Sequence, residues 1–296
     1  MLDPVEVDDD LLRSWPLPGL AGDDTELGSL LIVAGSRQAP GAALLSALAA
    51  LRAGAGKVQV LTVRSAATAL AVAVPELLVE GADETEDGQL APAAAATAAE
   101  MAREVDVVLV GPGFMSPRAA ADLCRSLLPR LQNRVVVDAL ALAYFAEESE
   151  RPTNEGRVIV TPNVGEVALA LGIAEAELHG DQDHGAGRLA RRHGLVVSSG
   201  GVDSWIASPD GRMMWRDRAG HPGLGASGSG DTKAGVVAAL FTRTDDPAQA
   251  AVWGGHVHGL AGERAAQQVA PVGYLAREMI SQVPTVLADL RRQPQR

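Results

Sequence analysis

Short apolar runs, each closing on glycine, aspartate or Thr-Pro and each followed by a helically spaced stretch, constrain this chain most. Leu30–Val33 runs into Ala34-Gly35-Ser36, and Val105–Val110 into Gly111-Pro112-Gly113. Val135–Asp138 ends in its own carboxylate, and Val158–Val160 meets Thr161-Pro162. Val58–Thr62 and Leu195–Ser198 read as further strands. Helical spacing covers Gly41–Ala53, Pro117–Leu131, Gly165–Leu171 and a segment ending at Arg188–His193. Pro92–Arg103 is Ala-rich, and alanine is the strongest helix former, so it too reads as a helix. Strands alternating with helices predict an α/β fold with a mainly parallel sheet covered on both faces. Ligands of such sheets bind beyond the carboxyl ends of the strands. The loops at Gly35, Gly111–Gly113, Asp138 and Thr161 are therefore expected at one edge, with Gly35–Gly41 and Gly223–Gly230 closing over it.

The rest of the chain fits around that frame. Ser204–Ser208 and Arg212–Trp215 flank Pro209-Asp210-Gly211, a hairpin signal. Trp205 and Trp215 read as its packing residues, the alternative being an aromatic beside a nucleotide base. Helical sequence resumes at Thr232–Phe241, Pro247–Arg264 and Leu275–Leu290. Glu80–Gly88 and Glu147–Gly156 read as polar loops, and Asp8–Asp10 as a solvated charge run. No repeat of fixed period is present, and residues 1–296 are expected to form a single domain.

Charge limits the partners. Twenty-five basic against 37 acidic side chains leave a net charge of −12, which argues against nucleic-acid or anionic-membrane binding. An anionic ligand then needs a local site of backbone N–H groups or a few cations. Cys124 is the only cysteine, which rules out an intrachain disulfide and reads as a small buried residue. The acidic start and the absence of a spanning apolar stretch predict a cytoplasmic protein without a membrane partner.

The stretch Gly223-Leu-Gly-Ala-Ser-Gly-Ser-Gly-Asp-Thr-Lys-Ala-Gly235 carries the chemistry. Its Gly-x-Gly-x-x-Gly spacing follows no strand, so a dinucleotide fingerprint does not apply. A Walker loop needs Gly-Lys-Ser/Thr, whereas here Gly230 precedes an acid. A glycine turn with Asp231 as a helix N-cap remains open on the residues alone. The alternative is an anion site. Gly228-Ser229-Gly230 lets backbone amides approach a ligand, and the first amides of the following helix favour a phosphate. Asp231 beside them could take a proton from a hydroxyl attacking phosphorus. Lys233 reads as a solvent-facing side chain. His256 and His258 read as helix-packing residues and no metal cluster is expected. Glu166 reads either as a helix-start carboxylate or as a holder of metal-bound water. Arg37 reads as solvated, the alternative being a contact with a phosphate.

The Gly-Ser-Gly-Asp loop resembles that of the ribokinase-like superfamily. Several further stretches, in order, resemble its ADP-dependent NAD(P)H-hydrate dehydratases: Ala34-Gly35-Ser36 with Gly41-Ala42, Arg52–Gly56, Gly111-Pro112-Gly113, Val137-Asp138-Ala139, Thr161–Glu166, Pro209–Gly211, Gly223–Asp231 and His258–Gly262. They span roughly Leu30 to Gly262. The resemblance implies a three-layer αβα sandwich. It also implies ADP- or ATP-dependent phosphorylation of the ring hydroxyl of NAD(P)H hydrate, then loss of phosphate to restore NAD(P)H. It makes Asp231 the base. Gly228, Ser229 and Gly230 would hold the phosphoryl group, and Gly200, Gly201, Val202, Asp203 and Ser204 the nucleotide. Ala42, Gly113 and Asn163 would line the substrate pocket with Asp231. Mg²⁺ is the implied cofactor, and a homo-oligomer the implied assembly. Three positions depart from the family: Asn163 stands where a His is usual, Leu140 where a second Asp is usual, and no Lys occupies the Ser199–Gly201 stretch, where the resemblance implies a cation near the nucleotide phosphates. Lys233 is the alternative source of that charge, against its solvent-facing reading. A kinase of a small alcohol, and a nucleotide-binding relative without turnover, are the alternative expectations.

Overall fold

The structure is a computed structural model that describes residues 3–18, 27–147, 156–178, 182–201 and 203–291. Its strands are β1 Val5–Val7, β2 Ser29–Val33, β3 Lys57–Val63, β4 Leu78–Ala82, β5 Val107–Val110, β6 Arg134–Val137, β7 Val158–Val160, β8 Val196–Ser199, β9 Ser204–Ala207 and β10 Met214–Asp217. Its first helices are α1 Asp9–Ser14, α2 Pro40–Arg52, α3 Arg64–Ala73, α4 Ala94–Ala102, α5 Pro117–Leu127 and α6 Ala143–Glu147. They are followed by α7 Val164–Leu171, α8 Gln182–His193, α9 Ser229–Phe241, α10 Pro247–Gln268, α11 Ala276–Ile280 and α12 Val283–Arg291.

One sheet holds all ten strands in the order β1-β10-β9-β8-β7-β6-β5-β2-β3-β4. From β8 to β4 every pairing is parallel. β9 runs antiparallel to both neighbours, as the hairpin signal predicts. The order reverses between β2 and β5, the seam where crossovers leave in opposite directions and a crevice opens.

The apolar runs are explained by layers on both sides. Leu30 and Ile32 of β2 face a core shared with α2, α9, α10 and α12. Leu31 and Val33, alternating with them, face a second core shared with α4, α5, α7 and α8. A strand buried on both faces has no polar side, so it reads as a continuous run. The core is largely aliphatic, and backbones come close: a Cβ on Gly235 of α9 would collide with the Ser46 carbonyl of α2.

Some expectations are corrected. α1, β1, α3 and β4 lie outside the predicted elements, and β4 occupies the start of the predicted loop Glu80–Gly88. Asp8–Asp10 is no mere solvated run: Asp8 accepts from the Leu11 amide at 2.8 Å and caps α1, and Asp9 pairs with Arg13 at 2.9 Å. The helix predicted over Pro117–Leu131 ends at Leu127 in a 3-10 turn around Pro129, where proline lacks the amide that would continue it. Leu275–Leu290 divides into α11 and α12. Most of the predicted loop Glu147–Gly156, residues 148–155, lies outside the described residues. No described helix is long and apolar enough to cross a membrane.

Candidate active site

The strand ends bring the anticipated loops together at the seam. After β2, the Gly35 amide donates to the Pro112 carbonyl at 2.8 Å. A Cβ placed on Gly113 would lie 2.8 Å from Ala42 Cβ and 3.1 Å from Gly35 Cα. Ala42 and Gly113, distant in sequence, thus form one wall. Asp138 follows β6, is buried, and accepts from the Thr161 hydroxyl at 2.7 Å.

α9 begins three residues earlier than the sequence suggests. Gly228 is its N-cap at φ 86°, a left-handed conformation that glycine adopts without strain. Asp231 is therefore not the cap but the third residue of the first turn. The Ser229 amide reaches the Ala226 carbonyl at 3.2 Å, and the Thr232 amide reaches that of Gly228 at 3.1 Å. The amides of Gly230 and Asp231 between them find no acceptor among the described residues. Two open donors at a helix start form a cradle for an anion. From α10, His258 fixes the turn: its Nε2 lies 3.0 Å from the Ser229 carbonyl and 3.1 Å from Ser229 Oγ. Burial, with the charge of Lys233, pushes the His258 pKa down to about 3. The imidazole is therefore neutral, and since a carbonyl only accepts, Nε2 carries the proton.

Carboxylates gather above this turn. Burial pushes Asp231 up to about 6. Asp138 is raised well above the usual carboxylate range by burial, then by the charges of Glu166 and Asp231, against the Thr161 hydrogen bond. Glu166 is raised by burial and by Asp231, against the Asn163 amide and Lys233. Asn163 and Glu166 form a capping box at the start of α7, each bond 2.9 Å. Glu166 is thus a helix-start carboxylate that also feels the site. Asn163 is exposed, with its carbonyl oxygen given to the cap.

Lys233 reverses its expectation. It is 6% exposed, and its ammonium donates to the Ser198 carbonyl of β8 at 2.8 Å. Burial pushes it down to about 8, against the charges of Asp138, Asp217 and Glu166. The sequence holds one signal: from Val236 onward α9 is apolar on every side, the mark of a helix buried all round.

The predicted nucleotide stretch is divided. The Gly200 amide donates to the Pro162 carbonyl at 2.9 Å, and a Cβ on Gly200 would lie 3.9 Å from Lys233 Nζ. Gly201 is exposed and Ser204 half-buried at the start of β9. Asp203 is held by Arg216, whose Nε donates at 2.8 Å. Val202 lies outside the described residues. Arg216 also covers the Trp205 ring at 5.2 Å, and Trp215 stacks on Trp15 at 5.9 Å, so both tryptophans pack the hairpin. His256 lies 3.0 Å from Asp217 and 3.4 Å from Asp9, linking α10 to β10 and α1. Arg37 is not simply solvated but pairs with Glu84 at 3.4 Å. Burial pushes the Cys124 thiol up to about 12, which leaves it inert.

An unpaired-amide cradle beside a carboxyl of raised pKa, at the seam of a parallel sheet, is equipment for phosphoryl chemistry. Comparison decides the lineage: the profile of the NAD(P)H-hydrate dehydratases matches residues 30–285. This chain belongs to the NAD(P)H-hydrate dehydratase family. It is 40% identical, over 95% of both chains, to the ADP-dependent (S)-NAD(P)H-hydrate dehydratase of Xanthomonas campestris. It is 36% identical to the bifunctional NAD(P)H-hydrate repair enzyme Nnr of Moorella thermoacetica, covering 90% of this chain and 50% of that one. Among solved structures, it is similar to the ADP/ATP-dependent NAD(P)H-hydrate dehydratase of Bacillus subtilis co-crystallised with ATP/Mg²⁺. The TM-score is 0.82 at 26% identity, over 98% of this chain and 100% of that one. A ribokinase-like superfamily protein from Enterococcus faecalis shares the fold, with a TM-score of 0.80 at 20% identity over 98% and 97% of the two chains.

Proposed function

We propose that this chain returns hydrated NADH or NADPH to the reduced cofactor at the expense of ADP or ATP. Asp231 supports this reading above all: a half-buried carboxyl with its pKa near neutrality, beside two open amides of α9. Its ionised form accepts the proton of the ring hydroxyl as that oxygen attacks the terminal phosphorus of the nucleotide. The phosphorus–oxygen bond to the nucleotide breaks, releasing AMP from ADP or ADP from ATP. Charge on the moving phosphoryl group meets the Gly230 and Asp231 amides and the positive end of α9. The ester then leaves as phosphate with the electron pair of its C–O bond, and a proton departs from the adjacent ring carbon. Ala42 and Gly113, packed together as one wall at the seam, would flank the ring.

The residues suit Mg²⁺ in one way only. Among the described residues no three His, Cys, Asp or Glu side chains are disposed to enclose a metal ion. Yet Asp138, Glu166 and Asp231 repel one another, and a cation would relieve that. This matches magnesium's habit of keeping water and substrate phosphates as its main ligands. Glu166 and Asp138 are the residues that would face it. When bound, the ion would neutralise phosphate charge.

The test is recovery of reduced-nicotinamide absorbance from NADHX or NADPHX with Mg²⁺ and either ADP or ATP. Turnover that requires nucleotide supports the reading. Nucleotide binding without turnover, or phosphorylation of an unrelated alcohol while the hydrate stays inert, overturns it.

A further inference from the structure

Only two of the chain's 25 basic residues are lysines, Lys57 and Lys233; the other 23 are arginine. Lys57 is exposed at the start of β3. Lys233 is buried in the second turn of α9, in a molecule whose other cations are almost all guanidinium groups. A buried ammonium is costly unless its charge is answered. Among the described residues no carboxylate forms an ion pair with it, and its one hydrogen bond goes to the neutral carbonyl of Ser198. An ammonium has three donors, so two remain unassigned.

Its position says where they can act. Residues two apart on a helix do not share a face, so Asp231 and Lys233 leave the start of α9 on different sides. Lys233 turns to the end of β8. There Gly200 carries no side chain, and one added at that place would touch the ammonium at 3.9 Å. Gly200 is half-buried and Gly201 exposed, so this corner opens outward. Asp138, Glu166 and Asp217 act on Lys233 electrostatically and favour its charge, while neutral His258 lies on the side of Ser229. The arrangement is a held positive charge beneath a glycine corner, beside an amide cradle.

We propose that Lys233 is the cation of the phosphoryl-donor site, binding phosphate oxygens of the nucleotide through the corner at Gly200. The proposal rests on the nucleotide-dependent reading above, and it assigns to α9 both the proton acceptor and the phosphate anchor. A lysine suits the place: its compact ammonium binds phosphate as a point charge and fits where a planar guanidinium would not.

Two measurements on the full chain test it. With lysine labelled at ε-¹³C, two side-chain signals appear, assigned with Lys57→Arg. ADP should move the Lys233 signal and leave Lys57 in place, while adenosine, which lacks phosphate, should move neither. Calorimetry with Lys233→Met should then show ADP binding weakened about tenfold to a hundredfold, the range for losing a charged hydrogen bond, with adenosine binding changed less than twofold. A Lys233 signal unmoved at saturating ADP overturns the proposal, as does a folded Lys233→Met that binds ADP within twofold of the parent. The labelled parent keeps the question open to decision even if the variant does not fold. Hydrate turnover is scored separately. A parent that binds ADP through Lys233 but leaves NADHX untouched refutes the reaction and keeps the anchor. A parent that turns NADHX over, with an unmoved lysine, does the reverse.

Discussion

The two ends of the sheet treat charge in opposite ways. At the amino end of the strands, ions are paired. Asp106 accepts from the amide and hydroxyl of Ser29, each at 2.8 Å, and Arg134 reaches Asp245 at 3.4 Å and the Thr244 carbonyl at 2.8 Å. Arg103 and Glu100 meet at 2.9 Å, both largely exposed. A cleft of about 710 Å³ opens among these groups. At the carboxyl end, Asp138, Glu166, Asp231 and Lys233 are drawn from water without ion-pair partners among the described residues, and each carries a shifted pKa. The cleft at the amino end thus lies among charges that already have partners, whereas the charges at the carboxyl end have no ion-pair partner among the described residues. Groups kept uncomfortable in this way belong to sites that act, and they cost stability to keep.

Asp231→Asn strikes hardest at that contrast. It should lower kcat about 10²- to 10⁴-fold, the usual share of a general base, when absorbance recovery is followed at saturating hydrate and ADP. The same change should make the protein more stable at pH 7, by about 1–3 kcal/mol, since two pH units of displacement correspond to nearly that. The sign follows from the raised pKa. Its stabilising share is complete below the ordinary aspartate value and is lost as pH rises through about 6. Denaturant melts should therefore coincide for parent and variant near pH 4 and separate by pH 7. A variant no more stable than the parent would show that the carboxyl is not strained by burial.

The pH profile of the parent comes next in size. With Asp231 as the base, kcat/KM should fall about tenfold per pH unit below about 6, and the fall should vanish from the residual rate of Asp231→Asn. A limb near the ordinary aspartate value would mean that the site is wetter than the structure has it. Smallest is the control at the other end of the sheet. Arg103→Ala should change stability by no more than about 0.5 kcal/mol and leave turnover unaltered, as for other exposed pairs. A larger effect would erase the difference between the two ends.

Much of this frame is legible in the order of residues alone. β2, β5, β6 and β7 announce themselves because burial on both faces demands unbroken aliphatic runs, and the turns after them need glycine, Asp138 or Pro162. α3 escapes because Leu70 is its only buried residue, so Arg64–Ala73 shows no row of large apolar side chains aimed at a core. β4 escapes because its edge position leaves Leu78 exposed and admits Glu80. β1 is three residues long and draws its order from β10, a partner no local window contains. At the site, the Gly-Ser-Gly-Asp loop announces a glycine turn into a helix, while the residues alone leave open whether Asp231 is a cap or part of an anion site. Lys233 carries less: a charge in the early turns of a helix is ordinarily wet, and the one hint against that is the all-round apolar run that follows it from Val236. Asn163 and Glu166 are the intermediate case, for their spacing spells a capping box but does not say that the box stands beside Asp138.

The parallel pairing of β1 with β10 sets a schedule. Val5 lies opposite Trp215, Trp15 stacks on that same ring, and His256 bridges Asp9 to Asp217. On the ribosome, the first strand emerges early and must wait, unpaired, until most of the chain has been made. Such remote pairings slow folding and leave an edge open meanwhile.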